Sequence, residues 1–311
     1  MPCYPNWKAL PHENFWFILI VCLLPVLAAP VAPGSNEEAL LDDDSFLGPH
    51  VPAFKSSRDD SPAGASEQPA PILPNRGPLV VHTWPWTQAT TAAFNVLENS
   101  GTALDAVEAG CIKCQEDQCD GTVGYGGSPD SEGEVTLDAI IMDGVTQDTG
   151  AVGCLRRVKN AIGVARKVME HTAHSILVGD KATNFAKMMG FQEESLSTPH
   201  SDQQHAQWRN QHCQPNYFRD LVNVTKTCPP YAPPGRAEMS SPNLGSDENL
   251  EIDLNNHDTL GIVAIDYDGN MAAGTTSNGA RNKVAGRMGD AAVPGAGAYA
   301  DNKWGAAAAT G

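Results

Sequence analysis

Apolar residues recur in two rhythms along the chain, and each rhythm predicts a different element. Alternation marks strands. In "EVTLDAIIMDG", Val135, Leu137, Ala139 and Ile141 fall on every second position, which predicts a strand closed by the Asp143-Gly144 turn. "PLVVHTWPW" (78–86) opens the patterned body with a short buried strand at 79–81, and "SILVG" predicts another. "LGIVAIDYDGNMAAGTTSNG" reads as two strands around an Asp268-Gly269 turn. Helical spacing occurs in "GTALDAVEAGCIKCQ", where Leu104, Val107 and Cys111 share a face and Thr102 with Asp105 fits a capping box. "KNAIGVARKVMEHT" places Ile162, Ala165, Val168 and Met169 on one face, and "DKATNFAKMMG" reads as a helix closed by Gly190. Strands and helices are interleaved, so the class is α+β or a layered sandwich. No repeat and no glycine-rich phosphate loop followed by a basic residue is present.

Outside this body the pattern breaks in three places. "FWFILIVCLLPVLAA" (15–29) is too short for a membrane span, which needs about 20 apolar residues. Small residues follow it, so it reads as a secretory signal cut near Ala28 or Ala29; the alternative is a buried apolar segment. Residues 30–77 are rich in Pro, Ser and Asp and read as a disordered leader. Residues 229–256 are Pro/Gly-rich, then acidic at Asp247, Glu248, Glu251 and Asp253, and read as a linker or exposed loop.

Charge narrows the partners. Lys plus Arg number 20 against 37 Asp plus Glu in 311 residues, a net charge of −17, with no basic run. Phosphate backbones and anionic membrane surfaces would be repelled, so neither nucleic acid nor, after signal removal, membrane is expected as a partner. A secretory route permits disulfides among the eight cysteines. Cys111 and Cys114 are spaced for zinc, but no second pair completes four ligands, so no metal and no cofactor is expected. "HTAH" (171–174) reads as a helix end, Cys154 as a buried free thiol, and Asn223-Val-Thr225 as a glycosylation sequon.

One stretch raises a chemical question. In "NNHDTLGIVAID" (255–266) a polar acidic run meets an apolar strand at a lone hydroxyl, Thr259. The common reading is a threonine at a strand start. The sharper reading is a cleavage point that makes Thr259 an N-terminus. A hydroxyl is a weak nucleophile without a base, and an N-terminal threonine carries one in its own α-amine. That amine has a pKa near ~7.7–8.0 when free, and burial lowers it. The junction could cut itself: the Thr259 hydroxyl attacks the Asp258 carbonyl, the amide shifts to an ester, and water opens the ester. The Asp258 carboxylate could take the proton, and a strained backbone would lower the barrier.

Several blocks together give a resemblance. "VVHTWPW", "SGTALDAVEAGC", "CQEDQCDGTVGYGGSPD", "TLDAIIMDG", "GAVGCLRRVKNAIGVARKVMEHT", "CQPNYFRD", "HDTLGIV", "GRMGDAAVPGAGAYAD" and "GAAAATG" resemble, in order, the glycosylasparaginase family of N-terminal nucleophile hydrolases. The resemblance spans about residues 78–311. It implies a four-layer αββα sandwich and hydrolysis of the amide between a sugar and the side chain of free asparagine. The chain would then divide into a signal (1–29), a leader (30–77), an α chain (78–258) and a β chain starting at 259. The family's assembly is an αβ heterodimer that pairs into a dimer of heterodimers, and its setting is the lysosome, reached by the secretory pathway.

Carried over residue by residue, the resemblance makes Thr259 the nucleophile and Asp258 its helper in self-cleavage. Trp84 would wall the pocket. Arg287 would hold the substrate α-carboxylate and Asp290 its α-amine, while Thr310 and Gly311 would form the oxyanion hole. Cys114–Cys119 and Cys213–Cys228 would be disulfides. Two positions depart from the family: Thr122 stands where it has serine, and Ser277 where it has a threonine near the nucleophile. Both keep a hydroxyl. The family chain also continues past "AAAATG", so the resemblance implies a C-terminally truncated and inactive chain. Two rival readings are an isoaspartyl peptidase or asparaginase of the same superfamily, and an inactive fragment or isoform.

Overall fold

The structure is a computed structural model that describes residues 77–235 and 258–310, together with the backbone of a strand at 18–21. Residues 30–76 of the leader and most of the acidic linker lie outside the described residues, as does Gly311. Nine strands are described: β1 (Ile18–Val21), β2 (Leu79–His82), β3 (Thr136–Asp143), β4 (Thr149–Arg156), β5 (Ile176–Val178), β6 (Leu260–Ile265), β7 (Met271–Ser277), β8 (Ala298–Asp301) and β9 (Gly305–Thr310). Five α-helices accompany them: α1 (Thr87–Glu98), α2 (Ala103–Asp117), α3 (Ala161–His171), α4 (Gly179–Met188) and α5 (Pro199–Asn210).

Six strands form one sheet in the order β2-β6-β7-β3-β4-β5, and three form a second in the order β1-β9-β8. All neighbours are antiparallel except β4 and β5. One core lies between the helices and the larger sheet, built from Leu97, Val107, Leu137, Ile141, Ile162 and Leu260 among others. A second lies between the sheets, where Ile140, Met142, Val263 and Met271 meet Ala298, Ala300, Ala306 and Ala308. The described layers are therefore helix, sheet, sheet, an α+β sandwich of the expected type.

The alternation read in β3 is present, but both of its faces are covered, and every residue from Thr136 to Met142 is buried. Leu137, Ala139 and Ile141 face the helices while Ile140 and Met142 face the second sheet. The strand expected to be buried at 79–81 is only half-buried, because β2 is the edge of its sheet and leaves Leu79 exposed. The capping box of α2 forms: the Asp105 N–H donates to the Thr102 hydroxyl at 3.1 Å and the Thr102 N–H to the Asp105 carboxylate at 3.2 Å. Past α4, Gly190 turns the chain with φ +92.

Gly261 shows how close the two sheets come. A Cβ there would lie 2.8 Å from Ala308 Cβ and 3.4 Å from Thr310 Cγ2. That spacing admits only small side chains, which is why "GAAAAT" forms a strand despite the helix preference of alanine. The described strand at 18–21 belongs to the stretch read as a signal; its backbone pairs with β9, Ile18 opposite Thr310. Cys114–Cys119 and Cys213–Cys228 are disulfides with Cα–Cα distances of 5.2 and 4.9 Å. Cys111 is the fully buried free thiol, whereas Cys154 is only half-buried, because it sits on a bulge of β4 rather than in the core.

Candidate active site

Sheet register assembles the site. Leu260 pairs with Thr276, which places Thr259 opposite Ser277 at the mouth of the β6–β7 ladder. Ser277 in turn pairs with Asp138 on β3. Thr259, Ser277 and Asp138 thus form one row on the face toward the second sheet, and all three are about 1% exposed.

Thr259 has φ +78, a left-handed conformation that a β-branched residue rarely adopts. Such an outlier costs roughly 1–3 kcal/mol and persists only where its surroundings fix it. Here they do. The Thr259 hydroxyl donates to the Asp258 carboxylate at 2.7 Å, and its oxygen lies 2.8 Å from Ser277 Oγ. The hydroxyl has one proton, so Ser277 donates to Thr259 and accepts from the Gly279 N–H at 2.7 Å. The Trp84 indole donates to the Thr259 carbonyl at 2.9 Å, and the Gly261 N–H donates to the Thr83 hydroxyl at 3.1 Å.

Burial pushes the Asp258 carboxyl above its ordinary value; Thr259 and Arg287 pull it back, and Asp290 adds to the rise. Arg287 and Asp290 therefore lie within electrostatic reach of the junction. Tyr217, in a loop that follows α5, feels the charges of Asp258 and Arg287 as well. Lys283 is buried, and its ammonium donates to the Asn278 carbonyl beside Ser277. Burial lowers its pKa, with Asp138 and Asp130 opposing.

The other expected residues fall as follows. The Thr122 carbonyl accepts from the Asn278 N–H at 3.0 Å, while its hydroxyl is buried without a partner among the described residues. The Thr310 hydroxyl is likewise buried and unpartnered among them, on the strand that faces Gly261. Gly311 lies outside the described residues. Asn223 is exposed, as a glycan acceptor must be. Asp138, Lys283, Thr83 and Tyr217 were not singled out from sequence. Asp138 had a readable signal, an acid inside an apolar strand; Lys283 had none.

The model of the family described as Asparaginase (Asparaginase_2) matches residues 67–311. The chain belongs to that family. A mouse (Mus musculus) protein named N(4)-(beta-N-acetylglucosaminyl)-L-asparaginase is 56% identical over 235 residues, covering 75% of this chain and 67% of the relative. A rat (Rattus norvegicus) protein of the same name gives the same figures. A Drosophila erecta protein, named a putative enzyme of that kind, is 51% identical over 239 residues, covering 75% of this chain and 60% of the relative. The chain thus spans about two thirds of the length of its mammalian relatives.

Proposed function

We infer that the chain splits itself between Asp258 and Thr259, and that Thr259 then hydrolyses the amide joining an N-linked sugar to the side chain of free asparagine. The observation that carries this is the Thr259 hydroxyl, 2.7 Å from the Asp258 carboxylate on a backbone strained to φ +78. The names borne by the rodent relatives support the sugar–asparagine substrate.

In the first reaction Thr259 Oγ attacks the Asp258 carbonyl carbon and its proton passes to the Asp258 carboxylate. The C–N bond breaks, the nitrogen takes the proton, and an ester remains. Water opens the ester, leaving a carboxylate on Asp258 and a free amine on Thr259. In the second reaction that amine takes the hydroxyl proton as Thr259 Oγ attacks the substrate amide. The glycosylamine leaves with the proton, and water releases aspartate from the aspartyl ester. Arg287 would grip the α-carboxylate with its two-pronged guanidinium and Asp290 the α-amine. Thr310 and Gly311 would donate to the oxyanion, and Trp84 would wall the pocket beside Thr259. An αβ heterodimer, paired with a second copy, and a lysosomal or secreted setting belong to the same reading.

The test is a mass spectrum of the full-length chain, purified alone. Wild type and Thr259→Ser should split at 258/259, and Thr259→Ala should stay whole. A split Thr259→Ala chain rejects self-cleavage by the hydroxyl. The split wild type should also release aspartate from glycosylated asparagine; turnover of isoaspartyl dipeptides alone would move it to the neighbouring peptidase class.

A further inference from the structure

We propose that Asp138 is a positioning residue: with the bulge of β4 it forms a seat that fixes the 287–290 loop, and so aims Arg287 and Asp290 at the α-groups of the substrate. The inference rests on the reading of that loop given above. Across β3 and β4, Leu137 pairs with Leu155 but Ala139 pairs with Val152, so Gly153 and Cys154 both stand opposite Asp138. Such bulges free backbone groups and re-aim side chains. Cys154 adopts φ +48, and its N–H donates to Asp138 Oδ1 at 2.7 Å. The other carboxylate oxygen, Oδ2, accepts from the Gly289 N–H at 2.8 Å. Gly289 stands between Arg287 and Asp290.

The bulge receives the loop a second time. A Cβ on Gly153 would lie 2.1 Å from Met288 Sδ, so Met288 packs into the space that Gly153 leaves. The Arg287 guanidinium runs over two more glycines: a Cβ on Gly289 or on Gly279 would lie 2.7 Å from Nη1. Asp138 Oδ2 is 3.2 Å from the first of those positions. A buried carboxylate with only backbone partners is expensive to hold inside a fold. The charges of Lys283 and Arg287 offset part of that expense.

Asp138→Asn keeps the shape but turns an amide toward one of the two N–H donors. The full-length chain and this variant are assayed on glycosylated asparagine and on its α-amide, which lacks the charge that Arg287 would read. Expected for the variant are a KM raised about tenfold or more, the effect of one lost charge-assisted hydrogen bond, a kcat little changed, and a shrunken preference for the free acid. Splitting at 258/259 should persist. Equal losses on both substrates, or none, overturn the seat and leave Asp138 a structural residue. If Asp138→Asn does not fold, Gly153→Ala decides: its methyl would lie 2.1 Å from Met288 Sδ, so it lifts the loop off the bulge while the atoms it meets are those of Met288 and not of Arg287. The same selective loss supports the seat, and an unchanged KM rejects it. Titration of free aspartate into the split protein separates the two inferences. Absence of turnover with aspartate bound more weakly by the variant defeats the assigned reaction but keeps the seat; absence of binding by wild type defeats both.

Discussion

At the scale of single residues, the site consists of hydroxyls and a guanidinium held by their neighbours. Ser277 completes a chain of hydrogen bonds from Gly279 through Ser277 to Thr259 and Asp258. Arg287 is judged by geometry more than charge. Lys at 287 retains the charge but loses the fork, so Arg287→Lys should lower kcat/KM for glycosylated asparagine by about 1.5–3 kcal/mol. An unchanged kcat/KM would remove Arg287 from the pocket. Thr259 and Asp258 were legible in the sequence because a polar run meets a strand there. The strain was not, since nothing in "HDTL" reports a positive φ.

At the scale of elements, the strands with alternating or flanked apolar runs were legible, and so were α2, α3 and α4. Helix α5, capped by Thr198 but polar along most of its length, was not, and neither were α1, β8 and β9. Helix α1, "TQATTAAFNVLE", is rich in threonine, a weak helix former, and is held by burying Ala89, Ala93 and Leu97. Strands β8 and β9 are mostly alanine and are set by the narrow gap between the sheets. Gly261 tests that gap. Gly261→Ala would drive a methyl to 2.8 Å from Ala308 Cβ and 3.1 Å from Thr83 Cγ2. Overpacking of this kind typically costs about 1–3 kcal/mol. The variant should melt at lower temperature and split more slowly at 258/259, because Thr310 and Thr83 shift with their strands. A melting temperature equal to wild type would mean that the sheets have slack.

At the scale of the whole molecule, a chain with net charge −17 buries several ionisable groups around a single row of residues. Burial raises the Asp258 carboxyl above its ordinary 3.8. A raised folded value contributes stability below the unfolded value, and that stability is lost as pH rises through the folded one. In an unsplit Thr259→Ala background, adding Asp258→Asn should therefore become relatively more favourable as pH rises from about 3.5 to about 7. The melting-temperature difference between the two chains checks this; a difference that moves the other way would mean that folding does not strip water from the Asp258 carboxyl. The sequence could place Asp258 at a junction, but only the packed structure reveals how much water its carboxyl has lost.

The left-handed backbone at Thr259 has one more consequence. Its φ is a torsion about a bond whose far side is the Asp258 carbonyl. Once the peptide link breaks, that torsion no longer exists, and the amino group turns freely about N–Cα. Whatever the fold spent in bending the uncut chain is released at that moment and cannot be recovered by rejoining the ends. With about 1–3 kcal/mol stored, resealing is disfavoured by about 5- to 150-fold on this account alone. Maturation would then act as a ratchet, driven by a contortion that disappears with the bond it strained.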